Sequence, residues 1–180
     1  MYLEAGLIKQ ATDKLASFRE RNPDDSRGLL LEAWAKMSEG KLDEALKLIN
    51  MQLAKDKENP VAWRLRGQIN SLKGNINKAI GDLKRSKSIE DNPMVDIELA
   101  RAHKRAGNIN DAIIVLGTAI EDDRSPVEAR KMLEELFIET NRNQDLAEFY
   151  EKTLDKYPDS IYWNFRAGRF ALSRQQWREA

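Results

Sequence analysis

The sequence predicts an all-helical fold of repeated antiparallel helix pairs, and three markers that share one period carry that prediction. Glycines recur at Gly6, Gly40, Gly74 and Gly107, in steps of 34, 34 and 33 residues. An alanine stands five residues after each of them, at Ala11, Ala45, Ala79 and Ala112. Prolines hold a third phase at Pro60, Pro93 and Pro126, with Pro23 and Pro158 slightly offset.

Each marker has a physical task. A helix ends readily on a residue at positive φ, and glycine has no Cβ penalty there, so these glycines read as helix ends. The next step lands on Asn141, which tolerates that conformation. The one after lands on Gln175, which does not, so the turn expected there is weakly specified. Asn59-Pro60, Asn92-Pro93 and Ser125-Pro126 read as an N-cap followed by proline at the first helical position. Asp25-Ser26 and Asp159-Ser160 offer caps at the equivalent points. Small residues then pair where two helices must meet: Ala33 with Ala45, Gly67 with Ala79, Ala100 with Ala112, and Gly168 with Ala180. Larger side chains fill the space around them, namely Trp63, Leu83 and Ile89 in one repeat and Leu99, Leu116 and Ile120 in the next. Spacings of three and four residues are the helical period, not the alternation of a strand.

Composition narrows the function classes. In 180 residues, 41% are hydrophobic and 33% charged, which allows a packed core under a well-solvated surface. Thirty Lys and Arg cancel thirty Asp and Glu, so no bulk charge draws the chain to nucleic acid or an anionic membrane. There is no cysteine, which removes disulfides, thiolate nucleophiles and cysteine-based metal sites. That absence suits a reducing cytoplasm, slightly favoured, or a periplasm. No stretch approaches the ~20 apolar residues of a membrane span, and no signal peptide is visible.

These residues resemble the tetratricopeptide repeat. The best match is Trp63 and Gly67 followed by Gly74, Ala79 and Ile80; the next repeat offers Leu99-Ala100, Gly107, Ala112-Ile113 and Ala119-Ile120. The resemblance covers the whole chain and implies a right-handed superhelical solenoid. It departs from the pattern where the first-helix tyrosine is replaced by Lys36, Asn70, His103 and Phe137. It departs again where Glu134 and Leu146 occupy the small-pair positions. There the helices must splay, or slip by one residue so that Ala147 takes the close position. A second resemblance, to the half-a-tetratricopeptide repeats of RNA-processing scaffolds, rests on Tyr150-Glu151-Lys152 and Tyr162-Trp163-Asn164-Phe165. It leaves the glycine and alanine markers unexplained.

The register gives one array over 1–180, with complete repeats 26–59, 60–92, 93–126 and 127–160 and partial units 1–25 and 161–180. Both ends fall inside a repeat and neither shows a polar capping helix, so the chain reads as a piece of a longer array. Uncapped end faces predict end-to-end self-association. A docking or regulatory segment of a larger enzyme is the alternative reading.

Catalytic chemistry finds no foothold. His103 is the only histidine and stands where a packing aromatic is expected, so a structural role is favoured. Gly40-Lys41 lacks the spacing of a phosphate loop, and no Gly-x-Ser-x-Gly elbow occurs. No catalytic residue, metal site or small-molecule cofactor is expected. The expected partner is a protein or peptide, with nucleic acid disfavoured.

In the family the resemblance points to, the first helix of each repeat lines a concave groove. Carried over by position, that implies Arg27, Leu30, Trp34, Met37 and Ser38 in the first complete repeat, and Val61, Arg64, Gln68, Ser71 and Leu72 in the second. Met94, Ile97, Arg101, Lys104 and Arg105 follow. Glu128, Lys131, Glu135, Ile138 and Glu139 come next, then Tyr162, Phe165, Arg169, Leu172 and Ser173. Leu30, Trp34 and Met37 share a helical face and would anchor an apolar side chain, unless neighbouring chain buries Trp34. Arg64, Arg101, Lys104 and Arg105 would hold an acidic peptide, unless they pair with acids of adjacent repeats. The family's carboxylate clamp is disfavoured: Arg64 and Gln68 echo it, whereas Glu98, Glu128 and Met132 do not fit.

Overall fold

A computed structural model describes residues 26–179, with Lys14, Ser17 and Arg21 besides. The markers at Gly6, Ala11, Pro23 and Asp25, and all of the unit 1–25 but those three residues, lie outside the described residues. Among the described residues there are nine helices and no strand: α1 Ser26–Ser38, α2 Leu42–Lys55, α3 Pro60–Leu72, α4 Ile76–Ile89, α5 Pro93–Arg105, α6 Ile109–Ala119, α7 Val127–Glu139, α8 Asn143–Lys156 and α9 Ile161–Glu179. None of them is long and apolar enough to cross a membrane. Close packing divides the chain into two units, one ending at Pro126 and the other beginning at Val127.

The turn inside each pair is built four times in one way. Gly40, Gly74 and Gly107 adopt φ of 76°, 79° and 79°, and Asn141 is the one described non-glycine residue at positive φ, 54°. Around each, the amide after the turn residue reaches back five residues: Lys41 to Lys36, Asn75 to Asn70, Asn108 to His103 and Arg142 to Phe137, at 2.8 to 2.9 Å. This is the Schellman closure, which satisfies carbonyls a helix end would otherwise expose.

Starts are less uniform. Asn59 Oδ1 accepts from the Ala62 amide at 2.9 Å and Asn92 Oδ1 from the Met94 amide at 3.0 Å, each ahead of a proline that opens the helix. Pro126 instead falls just outside α7, which opens at Val127. At α9 the cap is Ser160, whose Oγ accepts from the Trp163 amide at 3.4 Å.

In the first unit the paired small residues form the seams. Ala33, Ala45, Ala79, Ala100 and Ala112 are all at most 1% exposed. A Cβ on Gly67 would lie 2.8 Å from Leu83 Cγ and 3.3 Å from the Ala79 carbonyl oxygen, so an alanine here would force Leu83 to shift. Ile49, Leu53, Leu65 and Ile69 build one core cluster around such a seam, and Leu83, Val95 and Leu99 build the next. From α2 to α6 each helix packs on the one before it, and the first helices α1, α3 and α5 also touch in sequence.

The second unit solves the seam differently. Leu146 is buried and Ala147 only half so; the register has not slipped, and the backbones of α7 and α8 approach each other at fewer positions than in the first unit. The helices splay. Phe137, Phe149, Tyr150 and Trp163 fill the wider gap, with ring centroids 5.6 to 6.1 Å apart. The break expected near Gln175 does not form: α9 runs on to Glu179, because nothing at that position favours positive φ. The Gly168–Ala180 pair lies partly outside the described residues.

Candidate functional site

First helices of the first unit carry a polar ladder from repeat to repeat. Arg64 Nε donates to Glu98 Oε1 at 2.9 Å, and Gln68 Nε2 donates to the same oxygen at 2.8 Å. Further along, Arg105 Nη1 donates to Ser71 Oγ at 2.7 Å. Arg64–Glu98 and Ser71–Arg105 are each 34 residues apart, one repeat period, so the ladder joins α3 to α5 in register. Glu98 Oε2 is buried and makes no hydrogen bond.

The expected basic patch is therefore largely committed. Arg64 is half-buried and neutralised by Glu98; Arg105 is exposed but tied to Ser71; Arg101 is exposed and Lys104 half-buried, and neither stands without a partner. Charges on these helices pair across adjacent repeats. Glu98, which in the sequence stands out only as a departure from a clamp, is the hub of the ladder. Its signal is an acid one period after Arg64.

Apolar side chains on the same helices are more available. Trp34 is 56% exposed and Leu72 59%, with Val61 and Met94 exposed as well. Leu30 and Met37 lie partly buried against the core below, so the expected anchor is centred on Trp34 alone. Arg27 is exposed, and Gln68 half-buried. Repeat position puts Ile97 on the groove, yet it is fully buried. An isoleucine there gains more from the core than from water, which overrides its positional assignment.

In the second unit Lys131, Tyr162, Phe165 and Arg169 carry the expected surface together with Glu135, and Glu135, Tyr162, Phe165 and Arg169 are exposed. The Lys131 ammonium lies 4.7 Å from the Tyr162 ring centroid and the Arg169 guanidinium 5.8 Å from that of Phe165. Both are cation–π contacts. A triad centred on the buried Glu134 lies beside them: Glu134 accepts from Arg166 Nε at 2.8 Å and from the Tyr150 hydroxyl. Burial raises the Tyr150 pKa first, and its hydrogen bond to Glu134 raises it further. The same carboxylate raises that of Arg166. Elsewhere, burial holds His103 below its ordinary pKa, and its Nδ1 makes no hydrogen bond. Among the described residues no group of three or more His, Cys, Asp or Glu is placed to hold a metal ion.

Comparisons with known proteins fit this geometry. Residues 2–69 match the sequence profile of the tetratricopeptide repeat. No curated protein matches the chain. Among solved structures, a thermophilic TPR protein of Thermus thermophilus is 18% identical, with a TM-score of 0.66 over 95% of this chain and 94% of that one. MamA is 16% identical, with a TM-score of 0.70 over 86% of this chain and 91% of that one. YrrB, described as a TPR protein with an unusual peptide-binding site, is 16% identical with a TM-score of 0.66, over 89% and 84%. Residues 2–69 thus belong to the tetratricopeptide repeat family, and the described chain has the fold of tetratricopeptide-repeat proteins.

Proposed function

We propose that the chain is a protein-interaction scaffold whose first helices α1, α3 and α5 receive a peptide or partner domain. The observation that carries this reading is Trp34, more than half exposed on α1 beside a well-formed core. Withdrawing a large apolar side chain from water is worth about 1.5–3 kcal/mol, and tryptophan is among the residue types most enriched at binding hot spots. The neighbouring charges already have partners, so they set orientation more than affinity. A precedent for the fold is YrrB, whose peptide-binding site is described as unusual.

Selection of phage-displayed random peptides on the chain tests the reading. Peptides that bind should lose about tenfold or more in affinity for Trp34→Ala, in keeping with a hot spot of ~2 kcal/mol. A smaller loss is expected for Arg101→Glu. Unchanged binding to both variants overturns the assignment.

A further inference from the structure

The second unit holds a cavity of about 650 Å3 formed by the end of α7, the start of α8 and the second half of α9. That size lies within the ~300–1,000 Å3 of pockets that enclose small ligands. Its apolar lining is Ile138, Leu146, Tyr150 and Phe170, and its charged lining is Arg166, Arg169 and Arg174. Among the described residues no acidic side chain lines it.

The balance of charge is one-sided. Glu134 engages Arg166 through Nε and also receives the Tyr150 hydroxyl, so the one nearby carboxylate is already shared. Arg169 lies against the Phe165 ring and Arg174 against the Phe170 ring, each with its guanidinium 5.8 Å from the centroid. A cation–π contact of this kind leaves the donor edge of a guanidinium able to meet an anion. Among the described residues neither Arg169 nor Arg174 has a carboxylate within ion-pairing reach.

We propose that this cavity binds an acidic peptide segment, with separate carboxylates held by Arg169 and by Arg174 and a neighbouring apolar side chain resting on Ile138 and Phe170. A planar guanidinium matches a carboxylate with two parallel hydrogen bonds, and two such sites along α9 set the direction of the segment. Asn141, Asn143 and Ser173 supply neutral partners for the peptide backbone. The apolar lining favours a peptide over a phosphodiester chain, which has no aliphatic side chain to bury. A net charge of zero also gives the protein no long-range field for a polyanion. The proposal rests on the scaffold reading above only for the class of partner, since its site shares no residue with the first unit.

Fluorescence anisotropy with a labelled hexapeptide pool tests it, every position being a mixture of Asp, Glu, Leu and Phe. A control pool carries Asn and Gln in place of Asp and Glu. The full chain should bind the acidic pool at least tenfold more tightly than the amide pool. The double variant Arg169→Glu/Arg174→Glu should lose at least tenfold, and Arg169→Gln/Arg174→Gln most of that, whereas Trp34→Ala should change it less than twofold. Both arginines are exposed, so the unfolding midpoint of either double variant should match that of the unaltered chain. Equal binding of the two pools, or no response to either arginine pair, overturns the proposal. So does displacement of the pool by a thymidine dodecamer as effective as unlabelled peptide, which assigns the cavity to phosphate. A dimer in sedimentation that the arginine changes dissolve assigns it to a second copy of the chain. Loss with Trp34→Ala alone removes this proposal and leaves the first-unit reading standing.

Discussion

Helix pairs in the first unit meet through alanine or glycine on both sides, whereas the pair in the second meets through Glu134 and Leu146. Yet the turn that joins the helices is the same in both, down to positive φ and the five-residue amide closure. Turn and seam are therefore specified separately. A Gly or Asn decides how the chain reverses, and side-chain volume decides how closely the two arms then lie. Where volume is small, the backbones approach, and the carboxylates buried in that unit, Asp82 and Asp96, lie away from the small pairs with Arg66 and Lys87 as partners. Where it is large, aromatic rings fill the gap and a carboxylate, Glu134, stands at the seam position itself, where it requires donors.

Removing volume from the wider seam should have the largest effect. Leu146→Ala leaves a hole that the splayed helices close only partly, and about 2–5 kcal/mol of stability should be lost. Urea unfolding followed by circular dichroism would read this directly. A loss under about 1 kcal/mol would mean that α7 and α8 can collapse to the close packing of the first unit. Next comes Glu134→Ala, which strands the buried Tyr150 hydroxyl and frees Arg166. A fully buried pair broken on one side costs ~3–5 kcal/mol; Arg166 can turn toward water, so about 2–3 kcal/mol is expected. Glu134→Gln keeps an acceptor for Tyr150 and should recover part of it.

The opposite operation, adding volume to a narrow seam, should cost less. Gly67→Ala drives a methyl into Leu83, and overpacking of this kind costs about 1–3 kcal/mol. Gly81 is the internal control, since a Cβ there meets nothing within 4 Å on the exposed side of α4. Gly81→Ala should stabilise by roughly 0.5–1 kcal/mol, the ordinary helix preference of alanine over glycine. Opposite signs for two glycines of one repeat, measured by differential scanning calorimetry, would show that the seam and not the residue type sets the cost. The same sign for both would sink that account.

Much of this contrast is legible in the sequence. Gly40, Gly74, Gly107 and Asn141 mark the turns because few residues suit positive φ, and that is a local property. The Ala and Gly pairs mark the seams because the period fixes which positions meet. The partners of charges are harder to read. Arg64 finds Glu98 rather than a ligand, and nothing within a single helix shows that the two share an oxygen with Gln68. Position assigns Ile97 to a surface, and its burial depends on what packs over it. The Arg169–Arg174 cavity is hidden from a repeat-by-repeat reading, because its lining comes together from α7, α8 and α9 across two repeats.

His103 and Phe137 offer the subtlest form of the comparison, since they hold equivalent places in successive repeats and both are buried. Burial is the main influence on His103 and lowers its pKa; Lys84 pushes the same way, and Asp111, whose carboxylate lies 3.5 Å away, opposes them. The folded pKa therefore lies below the value of 6.5 in the unfolded chain. Between those two values the unfolded chain takes up a proton that the folded chain refuses, so stability falls as pH drops through that window. Above it both states hold neutral imidazole and the contribution is flat. His103→Phe puts into the first unit the side chain that the second already has, and it should remove that part of the slope below pH 6.5 while leaving the slope at higher pH unchanged. Thermal midpoints of both proteins from about pH 7 to about pH 5 would measure it. Parallel curves would mean that His103 titrates in the folded chain as it does in the unfolded one.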